Sequence, residues 1–132
     1  MAEEMSLFPP VSETDMIRGS ENAAVTLTLY ADYQDQPSAE LIALLAQLAE
    51  KYSDDLRIVF RDFPLMLNPG HEKSAIAAQA THAAALQGKY WEMHDTLFAK
   101  QIEWSPLSIE DFEKWLSDEA IGLGLDAAEL GP

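Results

Sequence analysis

The chain has 132 residues, of which 48% are hydrophobic, a length and composition that fit one globular domain and argue against global disorder. It carries 23 acidic residues against 8 Lys and Arg, a formal net charge of −15, so nucleic acids and anionic membrane surfaces are expected to be poor partners. Cysteine is absent, which excludes disulfides, thiol catalysis and cysteine-ligated metal sites.

The front half of the chain has the pattern of a βαβ unit. Residues 1–18 are polar and without periodicity, and we expect an extended N-terminal arm there. Val25–Tyr30 is apolar and β-branched, as in a buried central strand. A helix is predicted to begin after Asp35, with a proline two residues on, and to run to about Tyr52. Leu56–Phe60 is the second predicted strand, parallel to the first.

The back half is predicted to be helical. Glu72–Gln87, Lys89–Gln101 and Ser108–Ser117 have helical spacing of apolar residues, and Ile121–Leu130 has it more weakly. No further strand follows these helices. Because a parallel pair of strands is marginal by itself, the chain has the pattern of the front part of a larger unit.

Several motifs in this order resemble the DsbA-like branch of the thioredoxin superfamily over roughly residues 19–126. They are Gly19–Leu27, Tyr30–Gln34, Phe60–Leu65, Gln87–Asp95 and Gly122–Asp126. The resemblance implies an α/β fold, a thioredoxin-like βαβ unit that carries a DsbA-type α-helical insertion at about residues 71–117. It also implies two further strands, a cis-proline loop and a final helix, none of which residues 19–132 hold, so we expect an incomplete thioredoxin-like domain.

The chain departs from this family at the redox motif. Where the family carries Cys-Pro-x-Cys, the chain has Asp35, Gln36, Pro37 and Ser38, and Ala24 replaces a usual proline. A carboxylate cannot attack a disulfide and a serine cannot resolve a mixed disulfide. Because all four positions differ, we interpret the motif as naturally degenerate.

Three functional hypotheses follow. The first is a redox-inactive thioredoxin-like module that binds a peptide or protein, or that is one unit of a larger tandem protein. The alternative is a thiol–disulfide oxidoreductase by family descent, of which this copy is truncated or degenerate. The second alternative is a structural homodimer that shares a sheet through an exposed strand edge.

Any binding at the old redox site is expected at the helix N-terminus, at Asp35 and Ser38 with Tyr33 beside them. For Asp35 alone, an N-cap is favoured over a ligand-binding carboxylate. For Ser38, a polar position in the first helical turn is favoured over a nucleophile, because no histidine lies near it in sequence. No catalytic residue is predicted.

The histidines His71, His82 and His94 are predicted to be solvated or capping residues, because no second histidine follows at metal-ligand spacing. No metal and no cofactor are therefore expected. The aromatic residues of the helical part are expected to form core, with a stacking platform as the alternative; they are Tyr90, Trp91, Phe98 and Trp104. Residues 103–132 hold eight acids and one lysine, and a solvated helix face is favoured over a docking patch for a basic partner.

The cellular compartment is left open by the sequence. The opening residues do not form a signal peptide, which favours the cytoplasm if the chain is complete as written. If the chain is a fragment, the family resemblance implies an extracytoplasmic location.

Overall fold

The computed structural model describes residues 9–65 and 67–130, in which three strands and one helix precede a run of further helices. The strands are β1 (Met16–Arg18), β2 (Val25–Ala31) and β3 (Leu56–Asp62). The helices are α1 (Gln36–Lys51), α2 (Ser74–Ala85), α3 (Tyr90–Ala99), α4 (Gln101–Trp104) and α5 (Ile109–Gly122), followed by a 3₁₀ turn at Ala127–Leu130. The predicted α/β class, with a βαβ unit before a run of helices, is confirmed.

The sheet has a third strand that the sequence analysis placed in an arm. The strand order is β1-β3-β2, with β3 parallel to β2 and antiparallel to β1. Met16 pairs with Phe60 and Arg18 with Ile58, so the expected extended arm over residues 1–18 is wrong for residues 16–18. Asp15 adds an anchor, because its carboxylate accepts two hydrogen bonds of 2.8 Å from Arg61.

The expectation that β2 is a buried central strand is also wrong. The central strand is β3, whose residues Ile58, Val59 and Phe60 are all buried. In the described ranges β2 pairs with β3 alone and forms one edge of the sheet, and Val25 is 55% exposed. Apolar composition did not separate the two strands, because an edge strand and a central strand both bury at least one face.

The helices pack through small residues and aromatic rings. The alanine-rich α2 buries Ala77, Ala80 and Ala84, and its closest helical neighbour is α3. α5 begins as predicted at Ser108, whose hydroxyl accepts a hydrogen bond from the Asp111 amide at 3.1 Å. It ends at Gly122 and not at Ser117, and the acids on its outer side are exposed, as expected for a solvated helix face.

The aromatic residues of the helical part pack into the core as predicted, since Tyr90, Phe98 and Trp104 are buried and Trp91 is half-buried. The rings of Trp104 and Phe112 stack with centroids 4.6 Å apart. A second aromatic group lies between the sheet and α3; it consists of Tyr33, Phe60, Tyr90, His94 and Phe98.

His94 belongs to this core, so the prediction of a solvated or capping histidine is wrong there. Its side chain is 2% exposed, and its Nδ1 lies 3.0 Å from the hydroxyl of Tyr33. Burial lowers the pKa of His94 to about 3, and burial also holds the pKa of Tyr33 well above its usual value. The neutral imidazole and the Tyr33 hydroxyl therefore share one buried hydrogen bond, whose direction is set by the tautomer of His94.

The buried His94 predicts a pH dependence of folding. In the unfolded chain a histidine takes up a proton below about pH 6.5, whereas folded His94 stays neutral down to about pH 3. The free energy of unfolding should therefore fall on acidification, by about 1.4 kcal/mol per pH unit in this window. Urea unfolding followed by tryptophan fluorescence at about pH 7, 6 and 5 measures it.

The matched variant is His94→Gln, whose amide can donate or accept a hydrogen bond with Tyr33 and does not titrate. Its stability should change less between about pH 7 and 5 than that of the parent chain. Equal pH dependence of the two proteins would show that His94 is not held neutral by the fold.

Candidate functional site

The residues at the old redox-motif positions form the first turn of α1. Asp35 has extended backbone, with φ −88° and ψ 121°, and its Oδ2 accepts hydrogen bonds from the Ser38 amide at 2.9 Å and the Ser38 hydroxyl at 2.8 Å. Gln36 and Pro37 begin the helix. The N-cap interpretation of Asp35 is thus confirmed, and Ser38 is a polar residue of the first turn whose proton is donated to a carboxylate.

Tyr33 does not flank this turn at the surface. Its side chain is 1% exposed, and its ring packs 4.7 Å from the ring of Phe98 and 5.3 Å from that of Phe60. The expectation that Tyr33 contacts a ligand is therefore corrected, because its ring fills the core between the sheet and α3. The aromatic residues at helical spacing along α3 are the sequence signal that could have predicted an aromatic partner for Tyr33 in the core.

Two buried glutamine side chains fasten the start of α1 to the helical part. The side-chain amide of Gln101 donates to the carbonyl of Tyr33 at 2.7 Å and to that of Asp35 at 2.9 Å. Gln34 accepts a hydrogen bond from the Lys73 amide at 2.8 Å. Sequence analysis did not single out either glutamine, because this residue type is ordinarily exposed and no pattern marks these two.

Asp32 is a second buried anchor that the sequence analysis did not single out. Its carboxylate accepts hydrogen bonds from the amides of Gln34 at 2.8 Å and Leu65 at 2.9 Å, and from His71 Nδ1 at 2.9 Å. Burial raises the pKa of Asp32, but the hydrogen-bond donors around its carboxylate lower it more, so the net shift is downward. The carboxylate is therefore ionised at neutral pH, and His71 donates from Nδ1.

The three histidines lie in different surroundings. His71 is mostly buried against Asp32, His94 is in the core, and the exposed His82 contacts the carboxylate of Asp62 through Nε2. The prediction of a solvated residue thus fits His82. Among residues 9–65 and 67–130, no group of three or more His, Asp or Glu side chains is arranged to hold a metal ion.

An open groove of about 980 Å³ lies beside the positions of the family's redox motif, between the first half of α1 and the segment from α3 to Pro106. On the α1 side its wall includes Asp35, Pro37 and Glu40. On the opposite side it includes Phe98 and Ile102, and the Ile102 side chain is 90% exposed. The groove combines apolar surface with two carboxylates and is open to a ligand as large as a peptide segment.

The structure has a sheet with a βαβ crossover and, after β3, a helical insertion that contacts the start of α1. These features define a thioredoxin-like protein with a DsbA-like fold. The sequence matches the thioredoxin family profile over residues 11–128, and the chain belongs to this family. The resemblance drawn from the motifs is therefore confirmed.

Solved structures share the fold. A thioredoxin-like oxidoreductase from Silicibacter pomeroyi is 27% identical, with a TM-score of 0.70 over 90% of this chain and 62% of that one. The protein α-DsbA1 from Wolbachia pipientis is 20% identical, with a TM-score of 0.74 over 94% of this chain and 60% of that one. This chain thus spans about three-fifths of their length.

Curated relatives are much longer than this chain. A protein of Mycolicibacterium gilvum named Na(+)/H(+) antiporter NhaA 1 is 36% identical over 106 residues, which cover 78% of this chain and 17% of that protein. An antiporter NhaA of Herminiimonas arsenicoxydans is 40% identical over 98 residues, 74% of this chain and 15% of that protein. In the part of this chain that the structure describes, no helix has both the length and the apolar character of a membrane span.

A substitution of Asp32 tests whether its buried carboxylate stabilises the fold around the site. Asp32→Asn should lower the free energy of unfolding at pH 7 by about 1–3 kcal/mol, because buried donors lose an ionised acceptor. Since the pKa of Asp32 is lowered by folding, this stabilisation is present at neutral pH and is lost as the pH falls below about 4. Urea unfolding of the parent chain and the variant at pH 7 and below about pH 4 measures the difference in their free energies of unfolding. Asp54→Asn, in the exposed turn after α1, is the control. A difference from the parent chain that stays constant with pH would contradict this role.

Proposed function

We propose that this chain is a thioredoxin-like domain that binds a peptide or protein segment without thiol chemistry, as one unit of a larger protein. One observation carries the proposal: the two positions of the family's redox cysteines hold Asp35 and Ser38, which are hydrogen-bonded to each other beside an open groove. The chain has a groove beside this helix start and no thiol at either position.

The chemistry of the first turn supports a binding role over catalysis. Thiol–disulfide exchange requires a thiolate and a second thiol, and the sequence contains no cysteine. A serine nucleophile needs a base that takes its proton, whereas the Ser38 hydroxyl donates to a carboxylate whose Oδ2 also caps the helix. Because the matched regions are small parts of the long curated relatives, a role as one unit of a larger protein is also supported.

Two assays test this function together. The chain should not accelerate the reduction of insulin by dithiothreitol, whereas the double variant Asp35→Cys/Ser38→Cys supplies the thiols and serves as the positive control. Acceleration by the parent chain above the reagent alone would favour the alternative, a thiol–disulfide oxidoreductase by descent.

The second assay measures peptide binding with a variant of the groove wall. Ile102→Ser removes an exposed apolar side chain and should weaken binding of an unfolded model protein, such as reduced carboxymethylated lactalbumin, about fivefold or more. Ile121→Ser is the matched control, since Ile121 is also exposed but lies on α5 and does not line the groove. Equal binding by both variants, measured by fluorescence anisotropy, would contradict a binding role for the groove.

A strand-sharing homodimer is a second candidate, favoured by the character of β2. None of the seven residues of this edge strand is charged, so it lacks the charges that commonly protect sheet edges from pairing. Pairing of two β2 edges would bury backbone groups of both chains.

Light scattering after size-exclusion chromatography tests the dimer. The second candidate predicts about twice the chain mass of 14.6 kDa. Val25→Lys should return the protein to a monomer by charging the edge, while Leu86→Lys, at an exposed turn after α2, should not. A monomer at every concentration of the parent chain would remove this candidate.

A further inference from the structure

The carboxylates of the groove face no lysine or arginine within it. Asp35 and Glu40 on the α1 side both line the groove, and none of the lining residues is Lys or Arg. His71 also lines it, but its Nδ1 donates to the buried carboxylate of Asp32. The side chain of Glu40 is exposed, one helical turn beyond the capping residue, so its carboxylate is available to a ligand.

The basic side chains of the neighbouring elements are held elsewhere. The Nζ of Lys100, at the end of α3, lies 2.8 Å and 3.0 Å from the two carboxylate oxygens of Glu119. Lys73, which precedes α2, is buried and its Nζ contacts Glu72 at 3.2 Å. These ammonium groups are paired with other carboxylates, so the negative charge of the groove is not offset by them.

The N-terminus of α1 does not reverse this polarity. Free amides at a helix start attract anions. Here the carboxylate of Asp35 already accepts the Ser38 amide, and so a negative group occupies the position that an anionic ligand would take.

The apolar side chains that line the groove indicate that the ligand also has an apolar side chain. Ala39 and Ala43 make the α1 wall shallow, whereas the exposed Ile102 supplies most of the apolar surface opposite, above the buried ring of Phe98. A side chain entering between these walls would cover Ile102, which is otherwise 90% exposed.

Building on the function proposed above, we infer that the groove selects an extended peptide segment in which an apolar residue is flanked by Lys or Arg. The apolar side chain packs against Ile102, and a neighbouring ammonium or guanidinium group pairs with Glu40. Charge complementarity favours this segment over an acidic one, which the groove repels.

Three fluorescein-labelled peptides with one shared apolar centre, flanked by Lys, by Ser or by Glu, test this ligand class by anisotropy. The Lys-flanked peptide should bind tightest, the Glu-flanked one weakest, and added salt should narrow the difference. Glu40→Gln should weaken binding of the Lys-flanked peptide about two- to fivefold and leave the Ser-flanked peptide unchanged. The control is Glu50→Gln, which removes the same charge from an exposed position of the same helix outside the groove.

The outcomes separate this inference from the proposed function. Equal binding of the three peptides, or an equal loss for Glu50→Gln, would overturn the basic-ligand inference and leave peptide binding intact. Failure of all three peptides to bind would overturn the proposed function itself, and the inference with it.

Discussion

The structure depends on the hydrogen bonds that the Gln101 side chain donates to the carbonyls of Tyr33 and Asp35, just before α1. These bonds join the βαβ unit to the helical insertion at the turn where the family carries its redox motif. Carbonyls buried there without a donor would each cost about 1–3 kcal/mol. Gln34 and Asp32 extend the same connection to the loop before α2. Because this turn is fixed to the insertion, a groove with defined walls lies between α1 and α4.

The helix start of this chain carries a carboxylate and a hydroxyl, at Asp35 and Ser38, where the family carries its redox cysteines. In a thioredoxin-like enzyme the free amides at this position stabilise a thiolate. In this chain Asp35 takes up the Ser38 amide and hydroxyl, so the anion is part of the protein and caps the helix. A capped, rigid helix start beside an apolar groove suits a binding surface whose shape is already formed before a ligand arrives.

Local patterns in the sequence predicted the features that depend on local chemistry. The cap at Asp35, the start of α5 at Ser108 and the burial of Trp104 follow from residue type and spacing. Features set by distant partners were missed. β1 is three residues long and exists because β3 offers it a pairing edge. β2 was assigned to the centre because an apolar, β-branched composition does not show which strands pair on either side. Tyr33 and Gln101 were misplaced or missed for the same reason: each is buried by a residue more than 60 positions away.

We propose that the groove beside the degenerate motif is the binding surface of this domain. Amide chemical-shift mapping of the ¹⁵N-labelled chain, titrated with the Lys-flanked peptide, tests this claim most directly. The predicted result is a contiguous set of shifted resonances along residues 39–43 of α1 and residues 98–105 of α3 and α4, with little change in α5. Shifts confined to β2, or spread over α5 without those of the groove, would contradict it.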